Sequence, residues 1–111
     1  MFKPRQFKLS ASEIIQLLDQ PMGAGLATDH ITVEGRLVGY MYREEPDTST
    51  DSGWRFLSGH ESQEYADVAD NWAFYDLNTI ANYDQAIISY LGSPIGTEFE
   101  RIPGTNEFRT V

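Results

Sequence analysis

Between Leu37 and Tyr65 the chain reads LVGYMYREEPDTSTDSGWRFLSGHESQEY, and this stretch constrains the fold more than any other. Tyr40, Tyr42, Trp54, Phe56, Tyr65 and Trp72 stand close together in it and just beyond it. Aromatic side chains bury large areas, so much of the core has to be built here. Val38, Tyr40 and Tyr42 alternate with Leu37, Gly39, Met41 and Arg43. Both sets are largely apolar, which predicts a central strand covered on both sides, with Gly39 marking a close approach or a bulge. Residues 46–52 form a polar loop without an apolar anchor, and Trp54-Arg55-Phe56-Leu57 resumes as a strand with Trp54 and Phe56 in the core.

The remaining elements follow from caps and turns. Ser10 to Glu13 spells a capping box, and Ile14, Ile15, Leu17 and Leu18 predict an amphipathic helix ended by Pro21. Phe2 and Phe7 before it suit a short strand or a hydrophobic staple. Residues 26–33 and 36–44 predict a β-hairpin turning at Glu34-Gly35. Ser58-Gly59-His60-Glu61 reads as a second capping box, opening a short helix over 61–68 with Tyr65 on its buried side. Asp70-Asn71 turns into a strand over 72–77, Asn78 or Thr79 caps a brief helical turn, and Asp84 caps a helix over 85–91. Residues 97–102 and 108–111 close the chain as a hairpin. The expected class is α+β, a mainly antiparallel sheet of roughly six strands with about three helices. A length of 111 residues predicts a single domain.

Charge limits the function classes. Ten acids lie between residues 44 and 84 against one basic residue, Arg55. Such a surface repels nucleic acid and membranes, whose phosphates are bound through Lys and Arg, and suits a cationic protein partner or plain solubility. The absence of cysteine fits a reducing compartment and leaves no thiolate ligand or nucleophile. With no apolar run of about 20 residues and no signal-like segment in MFKPRQFKLS, the expectation is a soluble, cytoplasmic protein.

Catalytic and metal motifs are weak. His30 and His60 are the only imidazoles, and neither stands at ligand spacing, so no metal or cofactor is expected. No GxSxG elbow or informative Ser–His spacing occurs. Arg43 and Arg55, set among acids, have two readings. In one, Arg43 or Arg55 bridges Asp51 or Glu44 and fixes the loop between two strands, as a forked guanidinium can. In the other, the acids of the loop form a surface presented to a partner. A small enzyme or ligand-binding domain with a site near Arg43, Asp51 and Glu61 is the alternative from another class.

GYMYREEP, DSGWRFLSGHESQEY, LNTIANYD and GTEFER, four blocks in order, resemble the bacterial immunity-protein 33 family, long catalogued as a domain of unknown function. The resemblance covers about residues 31–111. One departure is His60, where the family pattern leads one to expect Asp. The resemblance implies a binding protein that neutralises a cognate toxin of a polymorphic toxin system, without catalysis of its own. On that reading Glu44, Glu45, Asp47, Asp51, Glu61 and Glu64 are the candidate toxin-binding residues, while Arg43, Trp54, Arg55 and Phe56 hold the structure.

Overall fold

The computed structural model describes residues 4–111, so Phe2 and Lys3 lie outside the described residues. Among the described residues six strands form one sheet: β1 (Ala24–Thr28), β2 (Tyr40–Arg43), β3 (Asp51–Leu57), β4 (Trp72–Asp76), β5 (Glu98–Arg101) and β6 (Phe108–Thr110). Their order across the sheet is β4-β1-β3-β2-β5-β6. The β1–β3 pair is parallel and the other four pairs are antiparallel. Three short α-helices, α1 (Asp29–Thr32), α2 (Gln63–Ala66) and α3 (Leu77–Tyr83), join three 3₁₀ segments at Ala11–Glu13, Ala69–Asn71 and Gln85–Tyr90. The α+β expectation therefore holds, and the aromatic stretch does build the two central strands.

One face of the sheet carries the core. Across it, the register brings Ala27, Phe56, Met41 and Phe99 into a row, all buried. Trp54 lies on the same face, stacked on Phe56 and Phe99 at 6.1 and 6.3 Å between centroids, with its indole N–H donating to the Leu91 carbonyl at 3.0 Å. Leu77, Ile80 and Ala81 of α3, with Ile87 and Leu91, close over this row. Asp84 caps the final 3₁₀ segment as the sequence predicts, accepting from the Ala86 N–H, and also accepts from the buried Val38 N–H at 2.9 Å and pairs with Arg101. β2 is interior to the sheet but covered on one face only, with Met41 buried and Tyr40 and Tyr42 partly exposed on the other, and a Cβ on Gly39 would meet the Ser58 carbonyl at 2.0 Å.

Two expected elements are different. The segment after Ser10 keeps one 3₁₀ turn, with the Glu13 carboxylate accepting from the Ser10 N–H at 2.9 Å, and then runs as irregular chain instead of a helix. Its backbone groups find side-chain partners. Asn78 Oδ1 accepts from the Leu17 and Leu18 N–H groups at 2.7 and 3.0 Å, Asn82 Oδ1 accepts from Ile15, and both amides donate to the Ile15 carbonyl. Two asparagines four apart on one face of α3 thus replace the hydrogen bonds a helix would have made. The apolar periodicity was real, but tertiary hydrogen bonds outweighed it.

The expected hairpin at Glu34-Gly35 is likewise absent. Residues 29–32 form α1, and Gly35 at φ 75° closes it: its N–H donates to Ile31 O and the next N–H, of Arg36, to His30 O. The Gly35 bond is the five-to-one closure of an αL motif, which needs a left-handed residue as a tight hairpin turn does. The same glycine signal served a helix end. β1 pairs instead with β3 and β4, its neighbours by long-range contact.

Candidate functional site

Each end of β3 carries a set of buried polar contacts. At the first end the strand is bulged: Ala24 pairs with Asp51 and Leu26 with Arg55, so β3 accommodates extra residues there. Gly53 sits in the bulge at φ 90°, where a Cβ would lie 2.1 Å from the Glu44 carbonyl. Only glycine fits. Asp51 and Arg55, four apart, meet on one side of the strand. The Arg55 guanidinium donates to both Asp51 oxygens at 2.9 and 2.8 Å and to Glu44 Oε2 at 2.5 Å, with Asp47 at 4.0 Å. Asp51 also accepts from the Asp47 and Gly53 N–H groups, which tie the 46–50 loop to the strand.

These contacts set the ionisation. The forked guanidinium of Arg55 holds the Asp51 carboxyl well below the usual carboxylate range, against the opposite pull of burial. Burial disfavours the Arg55 charge, but the hydrogen bonds it donates to Asp51 and Glu44 prevail and raise its pKa. Of the two arginines singled out in the sequence, Arg55 is thus the bridge to Asp51 and Glu44. Arg43 instead donates to the Ser52 and Ser93 carbonyls at 2.9 and 2.8 Å and lies over the Trp54 ring, fixing chain segments on the core side.

Past the other end of β3, Glu61 turns inward. Its carboxylate accepts from the Thr28 hydroxyl at 2.6 Å and from the Ser58 and Gly59 N–H groups at 2.8 and 3.0 Å. Burial alone would raise its pKa, but these hydrogen bonds lower it. The reach back to Ser58 is the one a capping box predicts, yet α2 begins later, at Gln63, with Ser62 as its N-cap accepting from the Tyr65 N–H. His30 Nδ1 lies 2.7 Å from Ser58 Oγ and 3.5 Å from Glu61, and its ring packs on Tyr65 at 4.7 Å. Serine and carboxylate meet the same ring nitrogen. A relay triad needs a carboxylate hydrogen-bonded to the opposite nitrogen, and the acid on that side, Glu34, stands 4.0 Å from Nε2, beyond hydrogen-bond reach, so this cluster is a structural clasp. The His60 side chain is exposed, and only its N–H joins the clasp, donating to Ser58 Oγ.

The structure does not assemble Arg43, Asp51 and Glu61 into one corner. Asp51 opens β3 and Glu61 is bonded to the residue after it, roughly 20 Å away at the usual rise per strand residue. Of the six acids singled out, Glu44, Glu45, Asp47 and Glu64 are exposed, whereas the Asp51 and Glu61 side chains are buried in the contacts just described. No group of three or more potential metal ligands occurs among the described residues, and no described helix is long and apolar enough to cross a membrane.

Beside the Arg55 cluster is a depression that sequence reasoning missed. Phe74, Leu26, Arg55, Tyr42 and Glu98 form a row across the sheet on the face opposite the core. The signal was present in β4, where Trp72 and Phe74 alternate with smaller or polar neighbours, but it reads equally well as a core face.

The immunity protein Imm33 domain model matches residues 25–111. No curated protein and no solved structure matches the chain significantly. The match takes in all six strands except the first residue of β1, together with both clusters flanking β3, and the chain belongs to the Imm33 immunity-protein family.

Proposed function

We propose that the protein is the cytoplasmic immunity partner of a polymorphic toxin, and that it neutralises this toxin by binding it through an acidic surface. The observation that carries the reading, beyond family membership, is the arrangement around Arg55. This guanidinium is answered by Asp51 and Glu44 and lies within 4.0 Å of Asp47, so three carboxylates surround one cation and the loop is left with excess negative charge. Glu45 and Glu64 add exposed acids. In this reading Asp51 and Glu61 hold the surface in shape, while Glu44, Glu45, Asp47 and Glu64 meet the partner. A cationic toxin, such as one that cuts nucleic acid, complements that charge and is steered toward it. In this reading the protein acts by binding, and the Ser58–His30–Glu61 cluster serves as a clasp.

Co-expression with the toxin encoded immediately upstream tests this, since the family implies that toxin and immunity genes adjoin. Cells carrying both genes are expected to grow, and the two proteins to co-purify. Growth arrest despite normal levels of soluble immunity protein rejects the proposal.

A further inference from the structure

The two faces of the sheet are unequal. The helices and 3₁₀ segments that seal the core lie against the Ala27–Phe56–Met41–Phe99 face. The opposite face carries the row Phe74–Leu26–Arg55–Tyr42–Glu98, with Trp72 and Tyr40 one step along β4 and β2. Phe74, at the β4 end of the row, is 50% exposed. A single exposed Phe is ordinary, but here its neighbours on the face are also apolar or aromatic and only partly covered, so the patch is continuous. Leu26, Tyr42, Glu44, Trp72 and Phe74 line an open depression of about 320 Å³ with Arg55 at its base. That is the small end of the range for ligand sites, suited to one long side chain.

Charge selects the occupant. Arg55 is stacked 5.7 Å from the Phe74 ring centroid, but its charge is already exceeded by Asp51, Glu44 and nearby Asp47, so the depression as a whole is anionic. An anion is disfavoured there. A second copy of this chain is disfavoured as well, because a face-to-face pair sets Glu44, Asp47 and Glu98 of each copy against like charges. Aromatic walls beside a carboxylate suit a planar, weakly hydrated cation that stacks and forks. We infer that this depression receives an arginine side chain of the partner protein, its guanidinium stacked on Phe74 and Trp72 and hydrogen-bonded to Glu44. The identity of that partner as a toxin rests on the immunity reading; the preference for a guanidinium does not.

The test is an amide-resolved NMR titration of the full chain with Nα-acetyl-arginine amide, with the neutral isostere Nα-acetyl-citrulline amide as control. Saturable shifts are expected at the Trp72 indole N–H, which donates to the Ala66 carbonyl at the rim, and at the Leu26 and Phe74 amides. The citrulline compound should leave them in place. Phe74→Ser should weaken the arginine compound about tenfold, the loss of a stacking contact worth ~1.4 kcal/mol, at an unchanged melting temperature. Equal shifts with both compounds, shifts scattered over the acidic surface, or full affinity in Phe74→Ser overturn the inference. So does a concentration-dependent dimer in sedimentation that Phe74→Ser abolishes, which assigns the face to a second copy. With the toxin of the adjoining gene as ligand, Phe74→Arg should lose binding that the wild type shows. Retained binding overturns the inference and leaves the immunity reading intact. Failure of the wild type to bind that toxin overturns the immunity reading and the partner named here, while the arginine titration still decides what the depression takes.

Discussion

Arg55 and Asp51, four residues apart on a bulged strand, form a two-pronged ion pair in which each side chain is only 1% exposed. Buried pairs of this kind are costly to break from one side, because the remaining charge is left without compensation. Asp51→Ala is therefore expected to destabilise the protein by about 3 kcal/mol in chemical denaturation, toward the low end of the usual range because Glu44 remains as a partner. The double variant Asp51→Leu/Arg55→Met should recover much of that loss, since apolar replacements of both partners remove the burial penalty. A double variant no more stable than Asp51→Ala contradicts the assignment.

The same pair predicts a pH dependence. The folded-state pKa of Asp51 is depressed, so its contribution is fully present above the unfolded value of about 3.9 and is lost as pH falls below it toward the folded value. Wild-type stability should decline in acid below about pH 4, and Asp51→Asn should flatten that decline. Denaturation midpoints at several pH values between neutrality and strong acid measure the slope, and parallel curves for the two proteins contradict it.

Asn78 and Asn82 stand in for helical hydrogen bonds along residues 15–18. Asn78→Ala removes two acceptor contacts and one donor contact, which at about 1 kcal/mol each predicts a loss of roughly 2–3 kcal/mol. Hydrogen exchange at the Leu17 and Leu18 amides should accelerate by more than the global destabilisation explains. Unchanged protection of those two amides would show that other groups hold the segment.

Trp54 fills the core between Phe56 and Phe99 with no exposed surface. Trp54→Ala should cost about 3–5 kcal/mol, whereas Glu45→Ala, in the exposed loop, should change stability by less than about 0.5 kcal/mol. Thermal melts of both variants check the contrast, and equal melting temperatures for Trp54→Ala and the wild type refute it.

What the sequence revealed and what it concealed have physical reasons. The central strands were legible because Tyr40 and Tyr42, like Trp54 and Phe56, carry a period of two with large apolar area. The Asp84 cap and the closing hairpin were legible because local chemistry fixes them. The helix expected between Ser10 and Pro21 failed because Asn78 and Asn82, more than sixty residues away, supply the backbone partners of residues 15 and 17. Gly35 announced a left-handed residue correctly, but a hairpin turn and a helix end share that requirement. Among the site residues, the Arg55 bridge could be foreseen from a guanidinium set among acids. The inward turn of Glu61 depends on Thr28, thirty-three residues earlier in the chain, and the bare face of Phe74 on which side of the sheet the helices cover. Neither has a local signature.

If exposed acids of this surface recruit a cationic toxin, association kinetics will register it. Glu45→Gln/Asp47→Asn removes two exposed loop charges while keeping size and polarity, and leaves the Arg55–Asp51–Glu44 cluster in place. Surface plasmon resonance against the toxin of the adjoining gene, at three ionic strengths, compares this variant with the wild type. Long-range attraction acts on encounter and is screened beyond about 8–10 Å near physiological salt. The wild-type on-rate should fall as salt rises, and the variant should show a lower on-rate, a flatter salt dependence and a nearly unchanged off-rate. An identical on-rate and salt slope for the two proteins would contradict it.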